Sequence, residues 1–469
     1  MAVSPASFRS EPGFSGRPRR RWPDALFASL LAAMALLIAV SNWSALGDDL
    51  PLRFVDSTWY EADSPGYFEM MTNRLSDHDD TRTHPLFSLL TWPVVRGVEA
   101  VTGCPPAVAA AVYLSGIAVL WTLLLYAVLR RLECRAPEAF LFALLALSSA
   151  TARCWFAVPE TYMMGGLSIL IALFIALAKN PGEVALTLGS AASLAVAVPN
   201  WMAGLAGSIL RLDWKRALRS SAVALGLVCG LWGVEKLIFP SAVFFFGHWQ
   251  EAAWVFNPRA LGPFAVVRAF FLHSMVLPVF ASEDRYIWSN LTITIQGSPT
   301  GTGGPFATTS VAIWIALLGI GLYALVRGAV PPRSRLLIAG LVAGQLALHL
   351  LFGDETFLYA PHYFALLIIV AALGLRTRFR PAVWILAGAL TVSAGIHNQI
   401  ARADALHALH QYVARPGKFH SLGIRPSWAR PRRHHADAGA PRPTSAAHPS
   451  HAEPPLPRHR PPELLQNDE

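Results

Sequence analysis

Charged side chains are scarce in this 469-residue sequence. Asp, Glu, Lys and Arg together make up 14% of it, against about 25% in ordinary soluble domains. With a hydrophobic share of 54% and a mean hydropathy of +0.42, that shortage excludes a string of soluble domains and places the chain among polytopic membrane proteins. Cysteine is scarce too. Cys104, Cys134, Cys154 and Cys229 have no paired spacing, which excludes a zinc pattern or a disulfide framework and leaves buried thiols. No 20–50-residue repeat is present, so a solenoid is excluded. The formal charge of +9 does not point to a nucleic-acid partner. The basic residues sit in short loop clusters and a tail, as positive-inside topology and a disordered terminus produce.

What is present is a series of uncharged stretches. Residues 1–22 are polar and Pro/Arg-rich and read as a disordered cytoplasmic lead. Residues 25–47 carry no charge and are long enough for a membrane helix at about 1.5 Å per residue. That length, and the lack of a small-x-small site after it, argue against a cleaved signal peptide. Further uncharged stretches follow at 107–129, 139–152, 161–178, 184–210, 220–234, the 300s up to 326, 336–353, 356–375 and 381–401. The stretch 184–210 is interrupted by "VPNW", so two short helices are expected to meet at Pro199-Asn200. Basic connections lie at 130–135, 211–219, 327–335 and 376–380. Placing them inside, with the N-terminus, predicts an all-α polytopic protein of about eleven transmembrane helices. The segment 84–101 then stays outside as an interfacial helix. The predicted layout is an N-terminal membrane module at 23–215 with a first outer loop at 47–105. C-terminal helices at 216–401 carry an outer loop at 240–305, and 402–469 form a disordered Pro/Arg/His-rich tail.

This orientation, set by the basic loops alone, puts four polar stretches on one face. The first holds Asp56, Glu61, Asp63, Tyr67, Asp77, His78, Asp79, Asp80, Arg82 and His84. The others are "VPETY" with Glu160, the aromatic segment 240–305 with Arg268 and Arg285, and "FGDETFLYAPHYF" with Asp354, Glu355, Tyr359 and His362. Asp63 and Tyr67, four apart, share a helix face; Asp63 before Ser64-Pro65 also suits a helix cap. Glu160 after Pro159 suits the first turn of a helix. Asp77, His78, Asp79 and Asp80 suggest a metal cluster but lack a ligand spacing, and the same residues suit a solvated loop. An aromatic belt accounts for Tyr359 more readily than for His362.

The order of these features resembles the bacterial branch of the GT-C membrane glycosyltransferases, relatives of protein mannosyltransferases and of aminoarabinose transferase. The resemblance runs through an N-terminal helix, Asp-x-x-x-Tyr at Asp63 and Tyr67, and His-Pro-Leu at His84, Pro85 and Leu86. A helix ending in Arg130-Arg131 and an outer turn with Glu160 complete it, over roughly the first 215 residues. Two departures stand out. Asp63-Ser64 replaces a frequent Asp-Glu, which removes the second acid of a two-carboxylate metal site, and His84-Pro85-Leu86 replaces a frequent His-Pro-Pro.

The resemblance implies transfer of a sugar from a polyprenyl-phosphate donor to a glycan, lipid or protein acceptor. The reaction would take place on the outer face of the bacterial cytoplasmic membrane. The acceptor hydroxyl needs a general base, assigned to Asp63 with Asp56 in reserve. The phosphate leaves as an anion and needs positive charge, with Arg82, Arg268, Arg285, His84 and His362 as candidates. Tyr67 and Tyr359 complete the substrate-binding set. A divalent metal held by Glu160 and a loop Asp is compatible with this chemistry but not required by it. Carboxylates near the anomeric carbon also stabilise oxocarbenium character. Competing readings are a transporter, for which Glu235-Lys236 is the nearest approach to an intramembrane pair, and a lipid-linked glycan ligase or polymerase.

Overall fold

A computed structural model describes residues 21–46, 58–245, 261–284, 291–328, 330–352 and 355–413. Asp56, Arg285, Asp354, most of the N-terminal lead and the C-terminal tail lie outside the described residues.

Helices dominate. In chain order they are α1 (Arg21–Leu46), α2 (Ser64–Thr72), α3 (Phe87–Thr102), α4 (Pro106–Arg131), α5 (Ala136–Ser148), α6 (Ala150–Trp155), α7 (Tyr162–Ala176) and α8 (Glu183–Val196). There follow α9 (Trp201–Arg211), α10 (Trp214–Ile238), α11 (Pro263–Arg268), α12 (Pro305–Val326), α13 (Pro332–Phe352), α14 (Ala360–Leu373) and α15 (Arg380–Val413). Among the described residues, six apolar helical stretches are long enough to cross a bilayer: Trp22–Leu46, Pro106–Arg131, Trp214–Ile238, Pro305–Val326, Pro332–Phe352 and Thr356–Arg376. Their surroundings differ in a way that water would not tolerate. Thr356–Arg376 is almost wholly enclosed by protein, whereas α1 and α10 turn most of their apolar surface outward. Leu37 is 69% exposed and Leu237 82%. A greasy outer surface around an enclosed central helix is the build of an all-α membrane protein.

The polar contacts sort to opposite ends of the helices. At one end the basic connections pair with acids. Arg130 meets Asp24 at 2.7 Å and Arg376 meets Glu133 at 2.8 Å, while Arg380 pairs with Glu138 and Arg219 with Glu183. At the other end the first loop docks on α6. Trp59 Nε1 donates to the Cys154 carbonyl at 3.2 Å, and Asn42 Nδ2 donates to the Phe156 carbonyl at 3.0 Å.

The break at Pro199-Asn200 forms as the sequence predicts. A single 3-10 turn, Val198–Asn200, joins α8 to α9. The two helices fold back on each other, with Trp201 Nε1 donating to Ser190 Oγ at 2.9 Å. The apex of this hairpin reaches the first loop: Leu86 N donates to the Ala195 carbonyl at 2.9 Å and Val198 N to the Thr83 carbonyl at 3.1 Å.

Glu235 and Lys236, the nearest approach to an intramembrane pair in the sequence, take separate partners. Glu235 is fully buried and accepts the Leu89 amide at the start of α3 at 2.9 Å, a helix N-terminus that favours a carboxylate. Lys236 Nζ donates to the Pro240 and Ala242 carbonyls at 2.7 Å each. The segment 240–305, expected as an outer loop, carries regular structure in its described part. It holds α11, which continues as a π-turn over Ala269–His273, and then a two-stranded antiparallel ribbon, β1 (Ala281–Asp284) with β2 (Leu291–Thr294). Ile293 donates its amide to the Thr58 carbonyl at 3.0 Å, which ties the ribbon to the first loop. Glu355 accepts from the Thr294 hydroxyl and from the amides of Ile295 and Gln296, the amides at 3.3 Å each.

Candidate functional site

The non-basic end of the bundle gathers residues from the first loop, the α6–α7 turn, the α8–α9 apex and the start of α14. Glu160 is its hinge. It sits in the turn before α7, just after Ala157, whose φ of 61° makes a sharp change of direction. Its side chain is 2% exposed. One carboxylate oxygen accepts the Asp63 amide at 2.7 Å, and the other accepts the Thr161 amide at 3.1 Å. Burial, reinforced by the nearby Asp63 and Asp80 carboxylates, holds Glu160 well above the ordinary carboxylate range, although the two amides oppose the shift.

Asp63 occupies the N-cap position of α2, with Pro65 in the first turn, as its sequence context suggests. Its side chain makes no capping hydrogen bond and the residue is exposed. The backbone of Asp63 is therefore pinned to Glu160 while its carboxylate stands at the surface of the site. Tyr67 lies one turn on, buried, with its ring edge-on to His84 at 5.9 Å and to Phe87 at 5.3 Å. Burial raises its phenol well above the usual value, and the charges of Asp80, Glu160 and Asp63 add to the shift.

His84 is read by the groups around it. Nδ1 lies 2.9 Å from the Val196 carbonyl, which can only accept, so Nδ1 carries the proton. Nε2 is then the acceptor for the Thr161 hydroxyl at 3.3 Å. Burial pushes this imidazole down to about 4, so it is neutral at pH 7. Thr161 thus links the two groups: its amide holds Glu160 and its hydroxyl holds His84.

His362 reaches the same region from the first turn of α14. Its ring lies over Gly165 of α7, where an added Cβ would strike it, and packs 5.5 Å from Tyr162. Tyr359 stacks edge-on against Tyr162 at 5.0 Å and lies 5.2 Å from His349 of α13. The nitrogens of His349 and Nε2 of His362 are buried and have no hydrogen-bond partner among the described residues.

Of the residues singled out in the sequence, Asp63, Tyr67, His84, Glu160, Tyr359 and His362 come together. Arg82 lies at the margin, paired with Asp79 at 3.2 Å and Asp80 at 3.7 Å. Arg268 donates to the Gln296 carbonyl at 3.0 Å. Asp56 and Arg285 lie outside the described residues. His78 turns into the fold instead of toward its acidic neighbours: Nδ1 meets Ser88 Oγ at 2.7 Å and Nε2 the Asn73 carbonyl at 3.2 Å. Among the described residues no three His, Cys, Asp or Glu side chains gather as a metal site.

Three members escaped the sequence reading. Thr161 and Tyr162 were legible only as neighbours of Glu160. His349 lies in an otherwise uncharged stretch, and an ionisable side chain in such a stretch is itself a signal. The assembly offers an exposed carboxylate, a buried carboxyl that favours its proton, a neutral imidazole and a wall of phenols. These are parts suited to moving a proton at the end of a membrane bundle. No family model matches the chain, and no curated protein is significantly similar to it.

Proposed function

We propose that this chain is an integral-membrane glycosyltransferase of the GT-C type. It would take a sugar from a polyprenyl-phosphate donor and pass it to a glycan, lipid or protein acceptor on the outer face of the bacterial cytoplasmic membrane. The finer topology of about eleven spans belongs to the same proposal, with α5, α7, α8 and α9 as short spans and α15 as a further span beside the six long ones. The observation that carries the reading is the pairing of Asp63 with Glu160. One acid is exposed and can take a proton from an acceptor hydroxyl. The other is buried, fixes the backbone of the first and keeps it at the mouth of the helices. The phenols of Tyr67 and Tyr359 and the imidazoles of His84 and His362 line the same mouth, where a carrier lipid's phosphate would meet the interface while its tail stays in the bilayer. If a divalent ion takes part, Asp63 and Glu160 are the carboxylates that would hold it, and it would offset charge on the leaving phosphate. A transporter would place its ionisable groups near the bilayer midplane. Here His362 lies in the first turn of α14, and His349 in the last turn of α13, which favours the enzyme.

The test is sugar transfer in membranes supplied with a panel of polyprenyl-phosphate sugars. Asp63→Asn is expected to reduce transfer by about 10²–10⁴-fold, the range for loss of a general base, at unchanged expression. Transfer that survives in the variant would remove Asp63 from the chemistry.

A further inference from the structure

Among the described residues, Arg130, Arg131, Arg376 and Arg380 at the basic end are bonded to acids or backbone carbonyls. Arg153 and Arg402 at the opposite end are not. Arg402 on α15 is 3% exposed, and its Nη2 is buried without a hydrogen-bond partner. No ion pair to it exists among the described residues. It lies one helical turn beyond Asn398, whose side chain donates to the Ser148 carbonyl at the end of α5 and to the Met275 carbonyl just after the π-turn, at 2.9 Å each; the Met275 carbonyl also accepts the Ala150 amide of α6. Arg402 therefore faces α6. There it meets Arg153, whose Nη1 donates to Gln399 Oε1 at 3.3 Å and whose Nε is buried and unpartnered. Arg402 is an electrostatic neighbour of Arg153, and Cys154 and Tyr60 are electrostatic neighbours of Arg402. The Tyr60 hydroxyl is buried beside the Cys154 thiol and has no oxygen or nitrogen partner among the described residues.

Two adjacent guanidinium groups repel, and burial strengthens the repulsion. A buried cation without a partner is strongly disfavoured. An anion between them removes both penalties. Arginine forks match the oxygens of a tetrahedral oxyanion in bidentate fashion, and the Tyr60 hydroxyl is a further donor. Access is open on the Arg153 side, where Gln399 is exposed. We propose that Arg153 and Arg402, with Gln399 and the Tyr60 hydroxyl, form a binding site for a phosphate-type oxyanion. The ligand is either free phosphate or the phosphate of a lipid headgroup at the end of α15. The site is independent of the sugar-transfer reading and uses none of its catalytic candidates.

The full chain is purified in a neutral detergent and unfolded by heat with inorganic phosphate or with chloride at matched ionic strength. Parallel samples are placed in phosphatidylcholine discs with or without phosphatidic acid. Ligand that binds only the folded state raises the unfolding temperature in a saturable way. Arg153→Gln is expected to weaken that response by about ten- to a hundred-fold in affinity, the range for losing a hydrogen bond to a charged group. A saturable response to inorganic phosphate that Arg153→Gln removes supports the site with a free ion as ligand. A response to phosphatidic acid alone, also removed by Arg153→Gln, supports a headgroup. Responses to neither, or equal responses in wild type and variant, overturn the proposal. Arg402→Met supplies a second criterion. Without ligand it should unfold at the same or a higher temperature than wild type, because it deletes an unpaired buried charge. A lower temperature with the phosphate response intact would make Arg402 a structural residue and overturn the assignment.

Discussion

Glu160 and His84 are joined through Thr161 and titrate in opposite senses. Glu160 is raised from 4.5, with burial as the main cause. The folded state then holds its proton more tightly than the unfolded chain. Its contribution to stability is complete below about pH 4.5 and is lost as pH rises through the raised value. His84 is lowered from 6.5 to about 4 by burial. Its contribution is complete above about pH 6.5 and is lost as pH falls through about 4. Between those limits the two trends oppose each other, so the wild-type stability profile should be flat. Glu160→Gln removes one trend, and stability should then fall toward acid more steeply than in wild type. It should also leave one of the two amides unpaired, at a cost of about 1–3 kcal/mol. His84→Gln removes the other trend, and stability should rise toward acid. Thermal unfolding of the purified protein between about pH 4 and pH 8 reads both changes, and parallel profiles for all three proteins would contradict this account.

At the scale of elements, the close approach of α7 and α14 sets the shape of the site. A Cβ at Gly165 would meet the His362 ring, and one at Gly166 would meet the Pro361 carbonyl. A ring can rotate; a backbone carbonyl in a buried helix start cannot give way without parting the helices. Gly166→Ala should therefore be the more damaging change, destabilising by about 1–3 kcal/mol as overpacking does. Gly165→Ala should cost less but displace His362 from Tyr162. Unfolding midpoints in detergent rank the two, and an equal or reversed order would show that the helices adjust together. These glycines illustrate what the sequence conceals. The break at Pro199-Asn200 was legible because proline restricts the backbone locally. The start of α2 at Asp63 was legible for the same reason. The partner of Glu235 was not, because an α3 amide 146 residues away is a tertiary fact. The ribbon at Ala281–Thr294 was legible in principle from the alternation Leu-Thr-Ile-Thr-Ile at 291–295. The segment was expected only as an outer loop.

At the scale of the molecule, charge divides the chain into two ends. The pairs Arg130–Asp24, Arg376–Glu133, Arg380–Glu138 and Arg219–Glu183 hold one end, and Asp63, Glu160 and His84 hold the other. The sequence showed this division because the basic clusters fall in short connections between apolar stretches, a pattern read without knowing any contact. Which residues of that end touch was not legible, since the contacts join positions as far apart as Tyr162 and His362. Under the proposed topology the positive-inside rule would put the paired end in the cytoplasm, and the prediction is one of access. The four native cysteines, of which Cys104 and Cys229 are half-buried, are first replaced by serine or alanine. Leu75→Cys, at a position 74% exposed beside the site, should then react with a membrane-impermeant maleimide added to intact spheroplasts. Glu133→Cys and Lys215→Cys, in the basic connections, should react only after the membrane is opened. The reverse pattern would turn the molecule over and place Asp63 and Glu160 in the cytoplasm, where a nucleotide sugar rather than a polyprenyl-phosphate sugar becomes the donor to test. On the glycosyltransferase proposal, sidedness therefore bears on the substrate as well as the topology: the bilayer would decide which donor pool Asp63 could meet.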